Sequence, residues 1–195
     1  MTSQPTSPVI QRGSKDKPWP TPTLVSVLLV LAAFSTPSAA EWFGDSRPMM
    51  GTEISVYLWH DDPVAGNEAL EAVFAEVERI NQLMSTYVED SRISLINREA
   101  AKGPVDAGQE LTQLILRSLD MSILTLGAFD ITYDSVGQHY DFREHRRPDA
   151  ATIEKELPKI NFRLVQADPL QNTVSFLQPG VRINLGGIAK GYTVE

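Results

Sequence analysis

Cysteine is absent from the 195 residues. That excludes a disulfide framework, a thiolate zinc site, a cysteine nucleophile and a lipid-bearing lipoprotein cysteine. Positive charge is scarce as well: 17 Lys and Arg against 25 Asp and Glu leave a net charge of −8. Such a balance lacks the cationic surplus that phosphate-backbone binding needs, so nucleic acid is excluded as a main partner. The most apolar run, Leu24 to Phe34, has 11 residues, short of the roughly 18–20 of a membrane span. No internal repeat, coiled-coil heptad, P-loop, Rossmann fingerprint or nucleophile elbow is present. The three histidines, His60, His139 and His145, fall at no zinc-protease spacing. What remains, 42% apolar and 22% charged residues, is the make-up of an ordinary globular chain.

The first forty residues read as an export signal. Arg12, Lys15 and Lys17 precede the apolar run, and Ser35-Thr-Pro-Ser-Ala-Ala40 follows it before an abrupt change at Glu41. That is a basic segment, an apolar segment and a small-residue cleavage site. The alternative, a buried core helix, is opposed by Pro18, Pro20, Pro22 and Pro37. Removing residues 1–40 takes away three basic residues and one acidic residue and leaves a net charge of −10 on 41–195. The expected division is therefore a signal peptide, 1–40, and one exported domain, 41–195.

In the mature part, Glu53 to Trp59 alternates with Ile54, Val56 and Leu58 on one face, the pattern of a half-buried strand. Asn67 to about Met84 places Leu70, Val73, Phe74, Val77, Ile80, Leu83 and Met84 on one helical stripe, which is core and not a cofactor box. A second helix is expected over Gln109 to Leu126, with Leu111, Leu114, Ile115, Leu119, Ile123 and Leu126 inward and Gly127 just past its end. Residues 141–152 form a charged loop, followed by a short helix, Ala151–Glu156. Phe162–Gln166 and Thr173–Leu177 read as strands about a turn at Asp168-Pro-Leu-Gln-Asn172. Val181–Leu185 reads as a further strand, leading through Gly186-Gly187 into a helix start. The chain stops at Glu195, a few residues into that helix, which reads as a fragment of a longer domain.

The most suggestive chemistry lies in Gly186-Gly-Ile-Ala-Lys-Gly191. Two glycines between a strand and a helix allow the backbone close to a phosphate, and free amides with Lys190 nearby suit a diphosphate. A glycine corner with no ligand is equally ordinary. Gly127-Ala-Phe-Asp-Ile-Thr132 sets Asp130 after a helix end, either as a ligand contact or as a capping carboxylate. Tyr87 offers a ring to a flat ligand or is a surface tyrosine.

Taken in order, Met49-Met-Gly-Thr52, Met84-Ser-Thr-Tyr87, Ser91-Arg-Ile-Ser-Leu-Ile-Asn97, Gly127-Ala-Phe-Asp-Ile-Thr132 and Asn184-Leu-Gly-Gly-Ile-Ala-Lys-Gly-Tyr192 resemble the ApbE family of FAD:protein FMN transferases. The resemblance spans residues 48–195. It implies an α/β (α+β) fold, a T-fold-like mixed sandwich with an antiparallel sheet and helices packed on it. It also implies an exported, periplasmic, Mg2+-dependent enzyme that splits FAD, attaches FMN to a Thr or Ser hydroxyl of an acceptor and releases AMP. The implied acceptors are flavoprotein subunits of membrane redox complexes of the Na+-translocating NADH:quinone reductase or Rnf type.

By the same resemblance Met50 and Tyr87 contact FAD, Tyr87 against the ring system. Ala128, Phe129 and Asp130 line the nucleotide, and Asn184 and Lys190 bracket the glycine corner. The Gly187 carbonyl is the implied Mg2+ ligand from this region, as suits a hard ion that prefers oxygen. Asn184 stands where the family more often has Asp. The family's remaining side-chain Mg2+ ligands, an Asp and a Thr, belong to a later segment, so residues 41–195 alone are expected to be inactive. Two further readings stay open: an FAD pyrophosphatase releasing FMN and AMP, and a non-catalytic periplasmic flavin-binding protein.

Overall fold

The computed structural model describes residues 40–141 and 144–194, and the expected signal segment lies outside them. The chain opens with a hairpin, β1 (Glu41–Met49) and β2 (Thr52–His60), paired antiparallel from Glu41↔His60 to Met49↔Thr52. The connection is Met50-Gly51, with φ of 51° and 72°, the left-handed pair that a tight hairpin turn demands. The expected alternation holds: Ile54, Val56 and Leu58 turn inward, while Tyr57 and Trp59 stay exposed. The sequence reading has no β1, because Gly44, Asp45, Arg47 and Pro48 break the apolar alternation. Arg47 nonetheless faces inward, bonded to Asp45 (2.8 Å) and Glu71, its guanidinium 4.0 Å over the Phe74 ring.

Helix α1 runs from Pro63 to Met84. It begins earlier than the periodicity predicts, because Asp62 caps the amides of Val64 and Ala65 and Pro63 takes the first turn, where its missing N–H costs nothing. Leu70, Phe74, Val77, Ile80 and Met84 are buried, whereas Val73 of the predicted stripe is exposed. Gly66 admits the hairpin, since a Cβ there would meet the Phe43 ring at 2.6 Å. Helix α2 (Arg92–Glu99), capped by Ser91, was hidden in the sequence by its eight-residue length.

A second sheet has the order β3–β5–β4, all antiparallel: β3 is Val105–Asp106, β4 Val165–Asp168 and β5 Thr173–Phe176. Phe162–Leu164, expected as strand, is a 3-10 turn capped by Asn161. Helix α3 (Gly108–Leu124) buries Leu111, Leu114 and Ile115. Ile123 and Leu126, predicted to face inward, are 59% and 94% exposed. The inward face continues instead through Ser118 and Ser122, both buried, and positive φ at Leu126 and Gly127, 53° and 86°, turns the chain away past the helix end. Past a 3-10 turn (Ile131–Tyr133) and α4 (Asp134–Gly137), helix α5 (Ala150–Glu156) confirms the short helix, capped by Asp149.

Val181–Leu185 is extended and its apolar side chains, Val181, Ile183 and Leu185, are buried, but it joins neither sheet. Asn97 substitutes for a neighbouring strand: its amide donates to the Ile183 carbonyl (2.9 Å) and accepts from the Ile183 N–H (2.8 Å). Arg182 N–H donates to Ser135 Oγ (3.1 Å), and Asn184 N–H to the Ile131 carbonyl (2.9 Å). The strand expected over Val181–Leu185 is therefore not one, although the segment is extended and buried. Its partners are a side chain and a turn, which a two-residue period cannot reveal. Helix α6 (Ala189–Thr193) follows the glycines. The architecture is mixed α/β with small antiparallel sheets and packed helices, as expected.

Candidate functional site

The glycine corner joins a buried extended segment to α6, and its peptide groups divide sharply. Gly186 N–H donates to Asn184 Oδ1 at 2.8 Å. The Ile188 and Ala189 amides both donate to the Leu185 carbonyl, at 2.9 and 2.8 Å. Three of the amides expected to be bare, those of Gly186, Ile188 and Ala189, are therefore engaged inside the turn. Among the described residues the Gly187 peptide N–H and carbonyl make no hydrogen bond. The Lys190 side chain is exposed and likewise makes neither a hydrogen bond nor an ion pair among them.

A cleft of about 380 Å³ opens at this corner, lined by Met50, Thr86, Tyr87, Asn184, Gly186 and Lys190. Four residues singled out in the sequence thus meet in one concavity, although they come from the hairpin turn, the end of α1 and the two sides of the glycine corner. Met50 is carried on the positive-φ turn, and its Sδ lies 3.8 Å from Thr193 Oγ1 of α6. Tyr87 is 83% exposed, so its ring is available as a platform.

The Gly127–Thr132 segment contributes unequally. Phe129 packs beside the corner: a Cβ on Gly187 would lie 3.3 Å from its ring. Ala128 is exposed and does not line the cleft. The Asp130 carboxylate is turned to protein groups. Its Oδ1 accepts from Thr132 N–H (2.8 Å) and Thr132 Oγ1 (2.6 Å), and its Oδ2 from Phe162 N–H (2.9 Å). That is the capping role left open in the sequence.

A second cleft of about 460 Å³ shares Thr86, Tyr87 and Asn184 with the first and extends to Tyr133, Tyr140 and Arg182. None of these last three was singled out in the sequence, because each lies outside an apolar pattern. The Tyr133 hydroxyl sits by the corner, 3.8 Å from where a Gly186 Cβ would be. Burial foremost, then the charge of Asp134, holds its phenol above the ordinary range. Between the clefts Asn184 Nδ2 donates to Thr86 Oγ1 (3.2 Å) and Asp134 Oδ1 (3.3 Å).

For Mg2+, the corner offers unengaged backbone carbonyl oxygens among the described residues, that of Gly187 included. Among the described residues no group of three or more His, Cys, Asp or Glu is placed to hold a metal. Octahedral Mg2+ needs more oxygen donors than this region supplies, so these residues alone do not fit the ion and no step is routed through it.

The arrangement defines a class: a mixed α/β domain with a cleft beside a glycine corner, where the Gly187 backbone groups and the Lys190 side chain are unengaged among the described residues. The ApbE family model matches residues 50–195, and the chain belongs to that family. It is similar to the FAD:protein FMN transferase of Vibrio cholerae, 28% identical over 172 residues, 86% of this chain and 51% of that protein. The Klebsiella pneumoniae protein of the same name is 29% identical over 153 residues, 77% of this chain and 47% of its own length. Among solved structures, the ApbE protein of Thermotoga maritima superposes with a TM-score of 0.71 at 26% identity, covering 78% of this chain and 50% of that one. The flavin transferase ApbE of Vibrio cholerae gives 0.70 at 25% identity, covering 80% and 52%. The chain spans about half the length of the curated relatives it matches.

Proposed function

We propose that the chain serves as an FAD:protein FMN transferase and that the cleft at the glycine corner binds FAD. The observation that carries this is the meeting of Met50, Tyr87, Asn184 and Lys190 in one cleft, beside a Gly187 peptide with no internal partner. Tyr87 supplies a ring face for a flat heterocycle, and Lys190 a point charge for the diphosphate. With a surplus of acidic groups elsewhere in the chain, that local cation offsets a field that repels phosphate.

In the proposed reaction an acceptor Thr or Ser oxygen bonds to the phosphorus on the riboflavin side. The phosphoanhydride bond to the adenylate breaks, AMP departs with its electron pair, and the hydroxyl proton is released. The Gly187 carbonyl would be one ligand of the Mg2+ that the family resemblance implies, an ion that would supply charge neutralisation at the diphosphate and would need further donors beyond the described residues. The acceptors proposed are flavoprotein subunits of membrane redox complexes, of the Na+-translocating NADH:quinone reductase or Rnf type. The basic, apolar and small-residue pattern of residues 1–40 supports an exported, periplasmic location.

The sparse metal donor set favours a second reading, a flavin-binding protein without catalysis. Titrating FAD into the purified chain, with and without Mg2+, is expected to give saturable quenching of flavin fluorescence. No binding under either condition overturns the proposal. Incubation with an acceptor, FAD and Mg2+ then separates the readings. Flavin fluorescence retained on the acceptor after denaturing electrophoresis marks transfer, AMP with free FMN marks hydrolysis, and binding with no AMP marks the non-catalytic protein.

A further inference from the structure

We propose that Asp134 is the positioning residue of the glycine corner: through Asn184 it holds the Gly186 amide inward. The inference rests on the FAD-binding reading for its consequence, but its structural part is independent of any ligand. Asp134 is 6% exposed, and it lies on α4, just past the Gly127–Thr132 motif and outside it. Its Oδ2 accepts from Arg182 Nε at 3.1 Å and its Oδ1 from Asn184 Nδ2 at 3.3 Å. Arg182 is itself fixed, since Ser135 Oγ accepts from its backbone N–H at 3.1 Å. The carboxylate is thereby clamped on one side and meets the Asn184 amide on the other.

An asparagine amide has two orientations with nearly the same shape, and its partners choose between them. Here Nδ2 points to Asp134 and Thr86, which leaves Oδ1 to accept from Gly186 N–H at 2.8 Å. The reverse orientation would set two acceptors together at Asp134 and two donors together at Gly186. A buried anion excludes that state strongly, because a hydrogen bond to a charged group is stronger than a neutral one. With the Gly186 amide held inward, the Gly187 N–H and carbonyl stand unengaged among the described residues, beside Lys190. The same geometry demands an amide at position 184. A carboxylate there would stand against the Asp134 carboxylate, whose cation Arg182 is bound at its other oxygen.

The test is amide hydrogen exchange by NMR on the full chain, with FAD affinity measured in parallel. In Asp134→Ala the Gly186 amide is expected to exchange about tenfold faster, as fits loss of one charge-oriented hydrogen bond, while the Leu111 and Ile115 amides of α3 keep their protection. FAD affinity is expected to fall about tenfold in D134A and in N184D. The exchanged pair D134N/N184D, which restores one carboxylate and one amide, should return to within about threefold of the wild type. Should D134A fail to fold, N184D against the double variant carries the same comparison in both readouts. Unchanged Gly186 exchange in a folded D134A, or a double variant no better than N184D, overturns the inference. Wild-type chain that binds no FAD sinks the functional reading instead, and the exchange result alone then judges Asp134.

Discussion

Two glycine-bearing turns flank the candidate site, and they spend their polar groups in opposite ways. At Gly127–Thr132 the charged side chain is fully engaged: Asp130 accepts three hydrogen bonds, and Phe129 N–H donates to Thr125 Oγ1 at 3.0 Å. At Leu185–Lys190 the amides of Gly186, Ile188 and Ala189 are paired, but among the described residues the Gly187 N–H and carbonyl and the Lys190 ammonium are open. The first turn is a joint, since it ties α3 to the Phe162 turn. The second is a socket. A protein normally satisfies its backbone groups internally or with water, so a turn that keeps a peptide and a cation unengaged beside an exposed ring is the one to associate with a ligand. In sequence the two look alike, each a glycine followed by apolar residues and one charged side chain.

The contrast breaks most sharply at Asp130. Replacing it with alanine removes one carboxylate and strands the Phe162 and Thr132 amides, each bonded to a charged acceptor. The expected loss is about 3 kcal/mol of folding stability, measured by urea denaturation. FAD affinity of the folded fraction should change little, because the carboxylate is turned to protein groups. A stable Asp130→Ala with much weaker FAD binding would exchange the roles of the two turns.

That mixture of roles explains how much the sequence discloses. Elements with a long, regular apolar period are legible: α1 and the body of α3 are where the stripe of Leu70, Phe74, Val77 and Leu111, Leu114, Ile115 puts them. The short pieces are not. β1 hides because its inward positions include Asp45 and Arg47, neutralised by each other and by Glu71. Val181–Leu185 reads as strand because burial alternates, yet its partner is the Asn97 side chain, 86 residues away. Met50, Tyr87, Asn184 and Lys190 were recognisable as motif residues, and the fold brings them together. Tyr133 and Asp134 belong to no pattern, and only the folded chain sets them beside Asn184 and its same-face neighbour Arg182.

The socket is tested at Lys190. Its side chain has no recorded partner among the described residues, so Lys190→Ala should alter folding stability by less than about 0.5 kcal/mol. FAD affinity should fall about tenfold, equivalent to about 1.4 kcal/mol. Because the attraction is one exposed cation for a diphosphate, added salt should weaken FAD binding more in the wild type than in the variant. Equal salt dependence in the two would remove Lys190 from the diphosphate and return the corner to an ordinary turn.

The smallest effect concerns how the socket's helix is tied from behind. Tyr192 of α6 donates its hydroxyl to Glu110 Oε1 at 2.9 Å, and Glu110 accepts from Arg79 at 2.7 Å on both oxygens. The Arg79 hydrogen bonds foremost, against some opposition from burial, hold the Glu110 carboxyl below its ordinary range, with Tyr192 adding to the effect. A carboxyl whose folded value is depressed contributes stability above its unfolded value, near pH 4.3. The contribution is lost as pH falls through the lower, folded value. Glu110 remains partly solvent-exposed, so screening keeps the pair to about 1 kcal/mol or less. The stability difference between wild type and Glu110→Gln should therefore be level from pH 8 to about pH 5 and shrink below about pH 4. Melting temperatures taken across that range decide it: a difference that grows with acid would mean that Arg79 and Tyr192 hold α6 without the charge of Glu110.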